Sequence, residues 1–309
     1  MHFFKKSLGQ NFIYDTNLLK SIVSDALVCR EDTVVEVGAG AGTLTKAISE
    51  TAKRVISFEV DKDLFEPLLK LNLKNTEFIF EDALKYPLEE LHKKLCDGSK
   101  ITGATTCRSQ SEKEPVALKK EKLIGSESLK ISSLSPLSSI HSSSFSYKLV
   151  ANLPYYITTP LLFKFLEDNH CESITIMLQK EVAMRTVAKE NTVDYGILSV
   201  ICQAMSNITY NRTVSKKMFT PMPNVDSAVI TLKKDLKPNI NNIEHFKRVV
   251  KASFAMRRKT LSNNLMKEFS IPREKTIEIL QAMKKHESIR GETLSVEEFI
   301  TLSNLIKSQ

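Results

Sequence analysis

Val34-Val35-Glu36-Val37 runs straight into Gly38, Gly40 and Gly42, and Thr43 opens an amphipathic segment behind them. An apolar run of this length, closed by glycine, reads as a strand buried on both faces, the kind found in parallel sheets covered by helices. The glycines let the backbone turn tightly and approach a ligand without a Cβ in the way. The expectation is an α/β protein with a ligand site at the carboxyl end of this strand.

The rest of the chain repeats the pattern. Strand-like segments at 33–37, 54–58, 77–81, 147–151 and 173–178 alternate with helix-like segments near 43–52, 62–71, 159–167 and 180–189. Asp15 is suited to cap a helix ahead of them, across Leu18, Leu19, Ile22, Val23 and Ala26. A later pair, 207–214 and 225–232, reads as a hairpin closing one sheet edge. Only helical periodicity follows, near 243–256, 259–268, 273–284 and 295–307. The change of period predicts a large domain over 1–235 and a small all-α domain over 242–309, joined by Lys233–Asn242.

Residues 96–146 fit neither period, and 11 of the 21 residues from Ser126 to Ser146 are serine. A segment of this composition buries too little apolar surface to offset its ordering entropy, so it reads as a mobile insertion. An RNA-contacting arm built on Lys119, Lys120, Lys122 and Lys130 is the other reading.

Composition narrows the function classes. Five scattered cysteines (Cys29, Cys96, Cys107, Cys171, Cys202) without a Cys-x-x-Cys pair argue against a disulfide framework and against a zinc site, so no metal is expected. The Met1–Lys6 stretch lacks a signal-peptide core, and no run approaches the ~18 apolar residues of a membrane span. The expectation is a cytoplasmic protein without a membrane partner. Residues 212–309 hold 19 Lys and Arg against 10 Asp and Glu, so they carry +9 while residues 1–211 carry −1 of the +8 net charge. Either this part grips nucleic-acid phosphates or it is a solvated basic surface.

The glycine turn departs from the dinucleotide fingerprint, which wants glycine where this chain has Thr43. Glu36, before the turn, is read as an anion that repels a pyrophosphate. Both points favour S-adenosylmethionine, a sulfonium cation without phosphates, over a nicotinamide cofactor. Glu59, after the strand 54–58, suits the cofactor's two ribose hydroxyls. Asp82, after 77–81, suits its adenine amino group, or caps a helix. Asn152-Leu153-Pro154-Tyr155 then supplies a carboxamide and main-chain carbonyls for the hydrogens of a base amino group, with an aromatic face for stacking. By residue type alone it is equally a proline turn beside a core tyrosine.

Together the motifs resemble the ribosomal RNA adenine dimethyltransferases, most closely the small-subunit branch. The resemblance is carried by Lys6-Ser7-Leu8-Gly9-Gln10-Asn11-Phe12, Glu36–Thr45, Asn152–Tyr156, Gln179–Ala183, Phe219–Val229 and Phe254–Leu265. It implies a Rossmann-like S-adenosylmethionine methyltransferase sheet with a small all-α C-terminal domain. It implies cofactor contacts at Asn11, Ile13, Gly38, Gly40, Glu59, Asp82 and Asn152. Catalysis would rest on Asn152, Leu153, Pro154, Tyr155 and Phe219, with Tyr155 and Phe219 sandwiching the target adenine. Without the resemblance, Phe219 is a core aromatic beside two prolines. Arg257, Arg258 and Lys259, read as starting a helix, become phosphate ligands.

The expected activity is dimethylation of two adjacent adenosines in small-subunit rRNA, within a pre-ribosomal particle, by a monomer. The rivals are a large-subunit dimethyltransferase of the macrolide-resistance type and a non-catalytic assembly or transcription factor on the same fold. The intact glycine turn and Asn152-Leu153-Pro154-Tyr155 stand against the second rival.

Overall fold

The computed structural model describes residues 10–96 and 145–306. Of the expected insertion, only Cys96, Phe145 and Ser146 fall within the described residues. Lys6–Gly9 of the opening signature also lies outside them.

The elements are β1 (Phe12–Ile13), α1 (Thr16–Asp25), β2 (Thr33–Val37), α2 (Thr43–Ser49), β3 (Arg54–Phe58), α3 (Phe65–Leu69), β4 (Thr76–Ile79) and α4 (Leu88–Cys96). Next come β5 (Tyr147–Asn152), α5 (Thr158–Glu167), β6 (Cys171–Gln179), α6 (Lys180–Val187), α7 (Ile197–Met205), β7 (Ser206–Val214), β8 (Phe219–Thr220) and β9 (Ser227–Lys234). The chain closes with α8 (Ile243–Ser253), α9 (Leu261–Phe269), α10 (Arg273–Ala282) and α11 (Val296–Leu305).

Seven strands form one sheet in the order β4-β3-β2-β5-β6-β9-β7. The first five are parallel, and β9 runs antiparallel to both β6 and β7. Val34, Val35 and Val37 are buried, as a central parallel strand requires. Asp15 caps α1, its Oδ1 accepting from the Leu18 amide at 2.8 Å, a contact worth about 1 kcal/mol. The expected hairpin strands pair with each other, and β9 sits inside the sheet, so β7 alone forms that edge.

Several sequence boundaries need correction. The sequence reading passes over helix α7, because its nine residues, Ile-Leu-Ser-Val-Ile-Cys-Gln-Ala-Met, form a short run so rich in apolar residues that pattern alone does not separate helix from strand. It is buried between the sheet and α8 and α11. The 62–71 helix is a 3-10 turn followed by a five-residue α-helix. Strand β9 runs on through Lys234, so the connection to the helical end begins at Asp235. Thr260 caps α9, its Oγ1 accepting from the Asn263 amide at 3.3 Å. Arg257, Arg258 and Lys259 therefore lie in the turn before α9 rather than in its first turn.

The helices from 242 onward do not form an isolated core. One buried cluster runs from Val35 and Ile56 on the sheet through Val200 and Ile201 to Phe246 and Phe299. The Tyr195 hydroxyl donates to the Leu294 carbonyl at 2.9 Å, and Lys247 bridges to Glu167 at 2.5 Å. No helix among the described residues is long and apolar enough to cross a membrane.

Candidate active site

Connections leave β2 and β5 toward opposite edges of the sheet, so a crevice opens at their carboxyl ends. Val37 pairs with Ala151, which sets Gly38 beside Asn152. Gly38 has φ +83°, and a Cβ there would stand 3.5 Å from the Asn152 carbonyl oxygen. At Gly42, with φ +74°, a Cβ would come within 2.3 Å of Leu71. A side chain at either position is strained by the positive φ, and one at Gly42 also collides with Leu71 and Leu68.

The turn's own amides are already engaged. Gly38 and Ala39 donate to the Phe58 carbonyl at 2.8 and 3.0 Å, Gly42 to Ala39 at 2.8 Å, and Gly40 to Glu59 Oε2 at 2.8 Å. In a dinucleotide site such amides face the pyrophosphate; here four of them face the protein. The described lining contains Glu59, Glu81 and Asp82 but no Lys, Arg or His. This donor set fits a cationic, phosphate-free ligand such as S-adenosylmethionine and opposes a pyrophosphate.

Glu36 does not contribute to that preference, contrary to what its sequence position suggests. It is fully buried and does not line the crevice. Thr45 and Ser57 both donate to its Oε2 at 2.6 Å, while Oε1 has no partner among the described residues. Burial pushes its carboxyl up to about 7 against the pull of these hydroxyls. It is an internal tie between β2, α2 and β3, not an anion facing the ligand.

Glu59, immediately after β3, is buried beneath the turn. Its Oε1 accepts from the Val60 and Asp61 amides, both at 2.8 Å, in addition to the Gly40 bond on Oε2. Burial raises its pKa, and the three amides only partly offset this. Three donors leave Oε2 one lone pair for a ligand hydroxyl. Asp82 lies three residues beyond the end of β4 rather than at it. It caps a turn, not a helix: its Oδ1 accepts from the Leu84 amide at 2.9 Å, and its carbonyl from the amides of Lys85 and Tyr86.

The N-terminal segment forms the opposite wall. β1 pairs antiparallel with β8, placing Ile13 against Phe219. The Thr43 hydroxyl donates to the Ile13 carbonyl at 2.8 Å, and Asn152 Nδ2 to the Asn11 carbonyl at 3.1 Å. Asn152 is thereby held with its amide nitrogen toward Asn11, and Oδ1 has no partner among the described residues.

Pro154 and Leu153 differ in what they offer. The Pro154 carbonyl accepts from the Ile157 amide and the Thr158 hydroxyl, both at 3.2 Å. The Leu153 carbonyl has no partner among the described residues, which makes it the acceptor left beside Asn152 Oδ1. Tyr155 lines the crevice, its hydroxyl bonded to Ser227 Oγ at 2.9 Å. Phe219 lines the same crevice but is only 4 % exposed and is packed with Ile13, Leu19 and Ile22. Arg257, Arg258 and Lys259 are exposed and do not line the crevice, with Arg257 donating to the Val193 carbonyl at 3.0 Å.

The family model for ribosomal RNA adenine dimethylase matches residues 1–307. The chain belongs to this family. It is 38% identical to the ribosomal RNA small subunit methyltransferase A of Clostridioides difficile, over 99% of this chain and 92% of that protein. It is 39% identical to the protein of the same name from Listeria welshimeri, over 98% and 90%. The fold matches a Plasmodium falciparum dimethyladenosine transferase with TM-score 0.67 at 20% identity, over 94% and 95% of the two chains. It also matches the 23S rRNA methyltransferase ErmE with TM-score 0.62 at 20% identity, over 96% and 99%.

In this adenine dimethylase the crevice gathers Asn11, Ile13, Gly38, Gly40, Glu59, Asp82, Asn152, Leu153, Pro154, Tyr155 and Phe219 along one lining. Residue-by-residue reading passes over four contributors to the site. Gln10 donates to Asp61 at 2.6 Å beside the glycine turn, Phe12 covers Gly40, Thr43 ties β1 to α2, and Ser227 fixes Tyr155. Thr43 carried a signal, since it stands where another cofactor fold needs glycine.

Proposed function

We propose that this adenine dimethylase transfers methyl groups from S-adenosylmethionine to the exocyclic amino groups of adenosines in small-subunit rRNA. Two adjacent adenosines are each dimethylated, on an immature ribosomal particle in the cytoplasm. The observation that carries the reading is the pair of unpartnered acceptors, Asn152 Oδ1 and the Leu153 carbonyl, at the edge of an acid-lined crevice without cations.

Asn11, Ile13, Gly38, Gly40, Glu59, Asp82 and Asn152 would hold the cofactor, which supplies an electrophilic methyl group on a sulfonium. An adenine amino group is a poor nucleophile because its lone pair is delocalised into the ring. Asn152 Oδ1 and the Leu153 carbonyl accept hydrogen bonds from its N–H groups and favour a pyramidal nitrogen whose lone pair is free to attack, the surplus proton leaving once the methyl group has transferred. These contacts strengthen as the nitrogen gains positive character, so they act on the transition state more than on binding. Tyr155, its ring fixed through Ser227, gives the withdrawn base a face to stack on, and Phe219 closes the other side. The turn at Arg257, Arg258 and Lys259 meets phosphates and positions the particle without reading bases.

The names of the relatives at 38–39% identity support the small-subunit assignment over a large-subunit target. The test is mass spectrometry of small-subunit rRNA from cells with and without the protein, alongside methylation by the purified protein. Dimethyladenosine that persists at the same level after deletion rejects the reading.

A further inference from the structure

A second cleft, of about 520 Å³, opens beside the first and is lined by residues given no role so far. The two have no lining residue in common but meet along β6. Met177, which lines the first cleft, and Gln179, which lines the second, are two residues apart on β6 and so point to the same face of the sheet. Gln179 pairs with Ser227, whose hydroxyl holds Tyr155. Asp226, next to Ser227, forms part of the second cleft and accepts from the Lys216 amide through Oδ1 at 3.0 Å. A two-residue step along a strand spans about 7 Å, comparable to one step of an unstacked nucleic-acid strand.

The lining favours a nucleobase over a phosphate. Its carboxylates, Glu181, Asp194 and Asp226, outnumber its lysines, Lys180 and Lys216. Lys216 Nζ reaches the Asn224 carbonyl at 3.4 Å, and Glu181 is paired with Arg185. The amides of Gln179 and Asn224 and the second oxygen of Asp226 suit the edge of a base that carries an amino donor. Met184 and Val225, 44% and 45% exposed, supply apolar surface for the ring.

We propose that this cleft holds the nucleobase adjacent in the RNA strand to the target adenine, so that two consecutive nucleotides are gripped at once. The proposal rests on the RNA-methylating function argued above. An exposed pair of large apolar side chains at the rim of a catalytic crevice then has a reason: each turnover needs the neighbouring base unstacked as well as the target.

The test uses the full-length enzyme and small-subunit particles reconstituted with rRNA that is native, or abasic at the nucleotide on either side of the target. Wild-type enzyme is expected to methylate one of the two abasic particles about tenfold more slowly than the native one. The Met184→Ala/Asn224→Ala double variant alters exposed side chains only. It is expected to be about tenfold slower on the native particle and to lose nothing further on that abasic particle. Its S-adenosylmethionine affinity and melting temperature should match wild type. Losses that simply multiply, or a wild-type rate insensitive to both abasic positions, overturn the second-base site and leave the functional reading standing. Wild-type enzyme that does not methylate the native particle removes both.

Discussion

Lys164 on α5 donates to the Ala83 carbonyl at 2.7 Å, beneath the turn that presents Asp82. The same ammonium reaches the carbonyls of Leu84 at 3.1 Å and Tyr86 at 2.5 Å. One side chain thus fixes three carbonyls of a turn that β4 has already ended before reaching. α5 also begins just after Asn152-Leu153-Pro154-Tyr155, so the two walls of the crevice are tied through it. Replacing Lys164 with Met keeps the aliphatic stem and leaves those carbonyls unpaired. S-adenosylmethionine affinity should fall about tenfold, or ~1.4 kcal/mol, with RNA binding unchanged. Calorimetry on the purified variant checks this, and unchanged cofactor affinity dissociates the turn from the site.

Asn152→Ala should nearly abolish methyl transfer while S-adenosylmethionine affinity stays within about tenfold. Asn152→Asp sharpens the test. A carboxylate keeps an acceptor for the amino group but cannot donate to the Asn11 carbonyl, so the N-terminal segment loses one of its ties while the Thr43 bond and the β8 pairing remain. Rapid turnover by the alanine variant is incompatible with the proposed role.

Glu36 makes stability depend on pH. In the folded chain its carboxyl is raised from 4.5 to about 7, chiefly by burial. A raised folded pKa means that the stabilisation is complete below the unfolded value and is lost as pH rises through the folded one. Between pH 5 and pH 8 the wild-type protein should therefore lose on the order of 1–3 kcal/mol more than Glu36→Gln does. Denaturant titrations of both proteins at the two pH values measure the difference, and parallel profiles would place the titrating burden elsewhere.

At the basic turn the structure separates two kinds of residue. Arg257 holds the Val193 carbonyl and so supports the turn itself, whereas Arg258 and Lys259 are exposed and their side chains have no hydrogen-bond or ion-pair partner among the described residues. Arg258→Ala/Lys259→Ala should flatten the salt dependence of particle binding by up to about two phosphate contacts without changing the melting temperature. Adding Arg257→Ala should lower the melting temperature as well. Binding with a wild-type salt slope would show that the particle is held elsewhere.

What the sequence made legible and what it hid follow from the range of the interactions. The strands around Val34 and Val150 are continuous apolar runs, and the glycine turn is punctuated locally, so the sheet and its ligand edge could be read directly. Asn152 and Glu59 could be placed at strand ends by counting, whereas Asp82 lies three residues past the end of β4, which stops at Ile79. Glu36 could not be placed, because whether a strand carboxylate faces the ligand or an internal hydroxyl depends on Thr45 and Ser57 across two other elements. α7 was hidden for a different reason: a nine-residue run this rich in apolar residues reads as a strand or a helix alike. The β1–β8 pairing is two residues on each strand, with more than two hundred residues between them, and no local pattern announces it.

That short pairing has a thermodynamic consequence. Ile13 belongs to the wall proposed for the cofactor and Phe219 to the wall proposed for the target base, and they are direct partners in one ladder. A ligand that settles one strand settles the other, and the free energy of that coupling is the same whichever ligand arrives first. Cofactor and RNA should therefore each raise the affinity of the other by one common factor, and loss of the ladder should return both affinities to independence.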